Sequence, residues 1–478
     1  MAFDTGSRLT ITGDERPTAV VVAVQLPGVT DQELDSSIEE LERLAKTMGL
    51  EPIGRMTQRR SALASGVVFG EGKLAELATW TGGVGKVEAY QKPGTKKKST
   101  DEDDDEDDDE ADDSEDLDGG AGAEKPADAP RAQIVLVDHD LTPQQQRNLE
   151  KVTGVDVLDR TSVILEIFHR HAKTREARLQ VEIARLKYLA PRLREGSGGG
   201  DRVRGGVGGK GAGETTLELD RRRIRDRIAE LKHELSQIVG GSKTRRDRRS
   251  DLPTVALVGY TNAGKSSLMR ALTSSDVYIA DKLFATLDTT VRRLAPATEP
   301  PILITDTVGF IKKLPHDLVA SFRSTLQEAA DAALLLHVVD ASDVALADHI
   351  AVTREVLGEI EGVEEVPTWL VLNKIDRVDE AGRALLTERY PGALQLSAKD
   401  RGDVVMLRER LIENFAGAIE ETDLVVPWVA QRMIHQIHER TRVIAEAHDD
   451  DGTRLRVRAP SSILEQLRTS ISLASQAD

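Results

Sequence analysis

Gly259-Tyr260-Thr261-Asn262-Ala263-Gly264-Lys265-Ser266 is the stretch whose residue types and spacing most directly imply chemistry. Its glycines let a backbone wrap a phosphate without a Cβ clash, and a lysine and a hydroxyl residue close the run. A loop of this kind needs a strand before it and a helix after it. The apolar run Thr254–Val258 and the helix-forming residues 267–272 supply both. Successive amide N–H groups and the helix N-terminus then point at a β-phosphate. Lys265 is expected to bridge the β- and γ-phosphates, and the Ser266 hydroxyl to ligate Mg²⁺.

Further motifs follow in order. Ile302-Leu-Ile-Thr305 leads into Asp306-Thr307-Val308-Gly309. Asp306 can hold the Mg²⁺ shell through water, and the Gly309 N–H can touch a γ-phosphate. The apolar residues 369–372 lead into Asn373-Lys374-Ile375-Asp376. The Asp376 carboxylate can accept two hydrogen bonds, from guanine N1–H and the 2-amino group. Adenine offers no such pair, so the expected substrate is GTP. Ser397-Ala398-Lys399, after Leu394-Gln-Leu396, fits a last base-contacting loop. Each motif sits at the end of a strand pattern, where open α/β sheets bind nucleotides.

Between the first two motifs lies Phe284-Ala285-Thr286-Leu287-Asp288-Thr289-Thr290. This is the place for a segment that senses the γ-phosphate. Thr286, Thr289 and Thr290 can each ligate Mg²⁺, and spacing alone does not choose among them. Phe310 follows Gly309, where Ras-like enzymes carry a glutamine that orients the attacking water. A phenylalanine cannot do this. Slow hydrolysis in the free protein, and reorganisation of the site by a partner surface, are expected.

The elements that must carry this site can be read from composition and periodicity. The 478 residues suggest about three domains. The absence of cysteine excludes disulfides and thiolate metal sites and fits a reducing compartment. No run of about 18 apolar residues exists, so no membrane span is expected, and a cytoplasmic protein is. Nothing in the sequence suggests more than a monomer. The net charge of −18 conceals two opposed regions. Residues 101–118 hold 15 acidic residues and no base, whereas residues 160–249 hold 23 Lys or Arg against 12 Asp or Glu. A basic region of that size points to a polyanion partner.

Residues 1–158 read as an N-terminal α/β domain, interrupted at 83–131 by an acidic segment whose charge density predicts disorder. The domain's signals are a β-branched run from Val20, a helical pattern over 33–48, a strand near 133–138, and Thr142-Pro143 opening a helix. Residues 159–250 read as a long antiparallel helical hairpin with basic faces. Its two helices cover 161–195 and 214–240, joined by a glycine-rich tip at 196–213. A helix of about 30 residues spans about 45 Å, so Arg202, Arg204 and Lys210 lie at the end of a basic rod. They are the expected RNA contacts, because such a tip can mould itself to a phosphate backbone. Residues 251–420 form the P-loop GTPase domain. Residues 421–478 are a small C-terminal domain, read as a helix over 428–448 and a strand near 453–457.

Taken together, several of these stretches resemble the HflX family of GTPases: Gly259-Tyr-Thr-Asn-Ala-Gly-Lys-Ser266, Phe284-Ala-Thr-Leu-Asp288 and Asp306-Thr-Val-Gly-Phe310. Gln144-Gln-Gln-Arg-Asn-Leu-Glu150, Asp159-Arg-Thr-Ser-Val-Ile-Leu-Glu-Ile-Phe168, Gly213-Glu-Thr and Asp220-Arg-Arg-Arg add to it. The likeness runs from about residue 17 to the end, and the acidic segment departs from it. The resemblance implies a factor that binds the 50S subunit and the 70S ribosome through ribosomal RNA. It further implies that the GTP form splits stalled ribosomes under stress, with the N-terminal domain and hairpin approaching the peptidyl-transferase region. It selects Thr286 as the Mg²⁺-coordinating and catalytic switch residue beside Lys265 and Gly309, and residues 284–288 as nucleotide contacts. It also implies a small C-terminal α/β domain. Two other readings share these features: a GTPase of large-subunit assembly, and a GTP-controlled regulator of a protein partner.

Overall fold

The computed structural model describes residues 16–63, 66–86, 130–193, 216–247, 252–273, 283–284, 287, 289–298, 300–313, 323–416, 419–449 and 452–476. Residues 87–129 of the acidic segment, Arg202, Arg204 and Lys210 of the glycine-rich tip, and Ala285, Thr286 and Asp288 lie outside them. The chain divides into two compact units: Met1–Arg170 with Ala184–Asp226, and His171–Ile183 with Arg227–Asp478.

The first unit alternates β1 (Thr18–Gln25), α1 (Asp31–Met48), β2 (Glu51–Arg59), α2 (Glu71–Thr81), β3 (Ile134–Val137), α3 (Pro143–Thr153), β4 (Asp156–Asp159) and α4 (Arg160–His171). The strands lie in the order β2-β1-β3-β4, all parallel. Residues 19–24 of β1 are buried, which explains their unbroken apolar run: a parallel strand covered on both faces does not alternate. Thr30 caps α1 through a reciprocal capping box with Glu33, and Gly49 ends it at φ 91°. Thr142 and Gln145 repeat the box at α3. The edge strand β2 has no apolar periodicity that would mark it in the sequence. Gly54 within it lets the Trp80 ring approach, since a Cβ there would lie 2.3 Å from the indole. Residues 83–86 and 130–131 pack on this domain instead of belonging to the disorder expected for 83–131. The Gly85 N–H, for instance, donates to the Val152 carbonyl at 3.1 Å.

At the carboxyl ends of β3 and β4, fully buried Arg160 pairs with Asp138 at 2.7 Å and with Glu40. Ser37 donates to Asp138 at 2.6 Å. Buried Asp159 accepts from the Tyr188 hydroxyl at 2.7 Å and from Arg192 at 3.2 Å. Burial, then the Asp159 charge, pushes the Tyr188 phenol well above its ordinary range.

The single helix expected over 161–195 is two helices, α4 and α5 (Arg175–Leu189). Thr174 makes the break: its hydroxyl accepts the Ala177 N–H at 3.2 Å, so it starts a new helix rather than continuing the old one. The second strip is one uninterrupted helix, α6 (Thr216–Asp247). Within the second unit Arg175 bonds Glu234 at 2.8 Å and Arg227 bonds Glu182 at 3.1 Å. Advancing along α5 means retreating along α6, so the two are antiparallel.

The second unit continues through β5 (Thr254–Val258), α7 (Lys265–Thr273), β6 (Thr290–Arg293), β7 (Leu303–Asp306), α8 (Arg323–Ala330), β8 (Leu334–Asp340), α9 (Leu346–Gly358), β9 (Thr368–Asn373), α10 (Glu380–Arg389), β10 (Leu394–Gln395) and α11 (Arg401–Ala416). The sheet order is β10-β9-β8-β5-β7-β6, and only β6 runs antiparallel to its neighbour. Leu336 and Val338 of β8 pack into one core with Leu268, Leu272, Leu407 and Leu411. Val339 packs on the other face with Leu346 and Ile350. A core on each face is the layered arrangement that puts binding loops at one sheet edge.

In the C-terminal domain the expected helix over 428–448 is corrected. Only Met433–Arg440 is α-helical (α12), and Arg442–Asp449 is a strand, β12. Strand β12 pairs with β13 (Gly452–Pro460), which also pairs with β11 (Ile419–Pro427), and α13 (Ser461–Gln476) completes the fold. The turn explains the switch: Asp449 accepts the Gly452 N–H at 3.1 Å, and Gly452 takes φ 149°, with the Val426 carbonyl 2.2 Å from where a Cβ would sit. That hairpin gives the 442–449 backbone a ladder partner that periodicity does not reveal.

Candidate nucleotide site

Four loops leave the carboxyl ends of β5, β7, β9 and β10 and meet. The loop after β5 begins at Gly259, whose φ of 142° and approach to the Val338 carbonyl leave no room for a side chain. Gly264 takes φ 94°, and a Cβ there would lie 2.2 Å from Asn373 Nδ2. Both glycines are therefore demanded by backbone shape. Lys265 opens α7. Its Nζ donates to the Gly259 and Tyr260 carbonyls at 2.9 Å each, which holds the ammonium across the mouth of the loop. Ser266 donates to Asp306 Oδ2 at 2.7 Å. The serine oxygen and the buried carboxylate make a hard-oxygen pair, which is the donor chemistry Mg²⁺ requires. With Mg²⁺ and a triphosphate bound, Ser266 would ligate the ion, Asp306 would orient its water shell, and the ion would neutralise phosphate charge.

Burial lowers the Lys265 pKa to about 8, with Asp306 acting in the opposite direction. A bound polyphosphate would keep the ammonium charged. Above pH 8 binding must therefore take up a proton, and below it need not. GTP affinity should fall about tenfold between pH 7 and pH 9, measurable by calorimetry in buffers of different ionisation enthalpy. A pH-independent affinity and no proton uptake at pH 9 would contradict this.

Gly309 follows β7. A Cβ there would stand 2.9 Å from Thr261 Cα and 3.0 Å from Lys265 Nζ, so glycine lets this backbone lie against the phosphate loop. Thr307 is buried and donates to the Leu257 carbonyl at 2.7 Å, and Val308 is buried beside it. Phe310 is buried at 2% exposure. Its N–H donates to Gly259 at 3.1 Å, and its carbonyl accepts the Thr261 N–H at 2.7 Å. Its side chain belongs to the core.

On the base side, Asn373 spends both ends of its amide on protein: Nδ2 donates to the Ala263 carbonyl at 2.8 Å and Oδ1 accepts the Ala398 N–H at 3.0 Å. It braces the phosphate loop against the 397–399 loop. Lys374 takes φ 61° and bonds Asp340 at 2.7 Å. Ile375 is buried. Ser397 donates to Asp376 Oδ1 at 2.6 Å, and this bond holds the Asp376 carboxyl below its usual range. The exposed carboxylate is thus ionised and aimed. Asp403, unmarked by any motif, accepts the Ser397 N–H at 2.7 Å, and the Lys399 N–H donates to Ser397 Oγ at 3.3 Å. Asn262 takes φ 58° within the phosphate loop. Of the 284–288 stretch, Phe284 (φ 56°) and Leu287 are buried. Thr289 is partly exposed, and Thr290 pairs across the ladder with Asp306.

A phosphate loop on β5, a carboxylate on β7 beside its serine, and a guanine-type acceptor after β9 define a P-loop GTPase. Three family models match this chain: a GTP-binding GTPase N-terminal region over 35–86 and 123–169, a GTP-binding GTPase middle region over 171–249, and a 50S ribosome-binding GTPase over 254–374. The GTPase HflX of Gluconacetobacter diazotrophicus is 53% identical over 456 residues, covering 95% of this chain and 98% of that one. The GTPase HflX of Escherichia coli is 37% identical, covering 92% and 93%. A GTP-binding protein from Sulfolobus solfataricus, solved in complex with GDP, is 22% identical over 84% of this chain and 99% of that one, with a TM-score of 0.40. The chain belongs to the HflX family of GTPases, and it hydrolyses GTP. No helix among the described residues is long and apolar enough to cross a membrane.

Proposed function

We propose that this GTPase binds the large ribosomal subunit and the 70S ribosome in its GTP form, and splits stalled ribosomes during stress. The observation that carries the reading is the convergence of Lys265, Ser266, Asp306, Gly309 and Asp376 at one sheet edge, in a chain whose GTPase domain matches a 50S ribosome-binding family. Lys265 and the Gly309 N–H act on the γ-phosphate. Ser266 and Thr286 ligate Mg²⁺, residues 284–288 contact the nucleotide, and Asp376 with the 397–399 loop selects guanine. The protein works in the cytoplasm as a monomer.

Arg202, Arg204 and Lys210 meet ribosomal RNA in this account. Each cation that neutralises a phosphate adds about 0.7–0.9 to the slope of log affinity against log salt. Changing all three to serine should lower the slope for 50S binding by about two to three and leave GTP affinity unaltered. Sedimentation at a series of KCl concentrations measures it, and an unchanged slope would remove these residues from the RNA interface.

A further inference from the structure

Tyr260, the second residue of the phosphate loop, makes contacts that nucleotide binding does not require. It is buried at 3% exposure. Its ring stacks on the His349 imidazole of α9, with centroids 3.8 Å apart and planes inclined by 15°. Its hydroxyl accepts the Lys312 N–H at 2.7 Å. Lys312 in turn reaches α9, where Nζ donates to Asp348 at 2.9 Å. The Tyr260 backbone forms an isolated parallel bridge with Phe310. The chain leaving Gly309 is thus fastened at 310 by backbone bonds and at 312 by the tyrosine hydroxyl. The tyrosine itself leans on the helix that also holds the Lys312 side chain.

We propose that Tyr260 is a positioning residue for GTP hydrolysis. It clasps the segment after Gly309 to the phosphate loop and to α9, so that the Gly309 N–H is presented to the γ-phosphate in one place. The inference rests on the nucleotide site described above. Diphosphate binding does not use Gly309, so the clasp serves the triphosphate state and the reaction. The same linkage makes α9 the element through which a surface touching the half-exposed Asp348 alters hydrolysis.

The test uses the full-length protein with Tyr260→Phe, which keeps the ring stack and removes the hydroxyl. Loss of one such hydrogen bond corresponds to a change of about three- to tenfold. The expected results are faster amide exchange at 311–313, a kcat lowered by about three- to tenfold, and GDP affinity within twofold of wild type. His349→Phe should retain activity because it keeps a flat ring, whereas His349→Ala should lower kcat. The effects of His349→Ala and Tyr260→Phe together should fall short of their product, as expected for one shared clasp. Exchange and kcat equal to wild type in Tyr260→Phe would overturn the proposal. So would a parallel fall of GDP affinity, GTP-analogue affinity and Tm, which marks a tyrosine that only fills the core. A wild type that neither binds nor hydrolyses GTP would instead overturn the nucleotide-site reading, and the positioning role with it.

Discussion

Asp376→Asn should weaken GTP binding by about 10²–10⁴ and shift preference toward xanthine nucleotides. The carboxylate can accept from both guanine N1–H and the 2-amino group, and each charge-assisted bond contributes about 1.5–3 kcal/mol. An asparagine amide offers one acceptor and one donor. Guanine then faces a donor with a donor, whereas xanthine carries an oxygen where guanine carries the amino group. The support around the residue survives the change, because Asn Oδ1 can still accept the Ser397 hydroxyl that lies 2.6 Å from Asp376. The loss should therefore appear in base selectivity and not in folding. Competition between GTP and xanthosine triphosphate for a fluorescent analogue measures both quantities. Unchanged GTP affinity would show that Asp376 does not read the base.

The free protein should hydrolyse GTP slowly, on the order of 10⁻⁴–10⁻³ per second as in GTPases awaiting an activator, and ribosomes should raise the rate by at least about 10². The reason lies at Phe310. Its backbone is zipped to Gly259 and Thr261, and its ring is buried. No side chain from this position can orient a water. Phe310→Gln should therefore leave the basal rate within about threefold of wild type while costing stability, since it places an amide in an apolar site. Single-turnover hydrolysis with and without purified 70S ribosomes supplies the rates. A fast basal rate, or a Phe310→Gln variant that gains about a hundredfold, would place the water-orienting position at residue 310 after all.

The nucleotide site was largely legible because its chemistry is local. Gly259 to Ser266 lie within eight residues, and Asp306 and Asp376 each follow an apolar strand run that marks its position in a parallel sheet. The braces between these motifs were not legible. Asn373 bonding Ala263, Asp403 holding Ser397, and Tyr260 on His349 are made by residues far apart in sequence with no spacing rule to connect them. The same distinction separates the secondary structure that could be read from the rest. Strand β1 and helix α1 carry their own apolar pattern and caps. Strands β2 and β12 do not: β2 is an edge strand bearing Pro52 and Gly54, and β12 depends on pairing with β13. The break at Thr174 needed only one hydroxyl turned onto a backbone N–H, a choice that an apolar periodicity running through 161–195 conceals.

Ribosome splitting is tested most directly by sedimentation of 70S ribosomes with the protein and either GDP or a non-hydrolysable GTP analogue, recording the subunit profile. With the analogue, the expected result is loss of the 70S peak, gain of 30S and 50S, and protein on the 50S fraction, with little change under GDP. An intact 70S peak with no protein bound in either nucleotide state would contradict it and point to a GTP-controlled regulator of a protein partner instead.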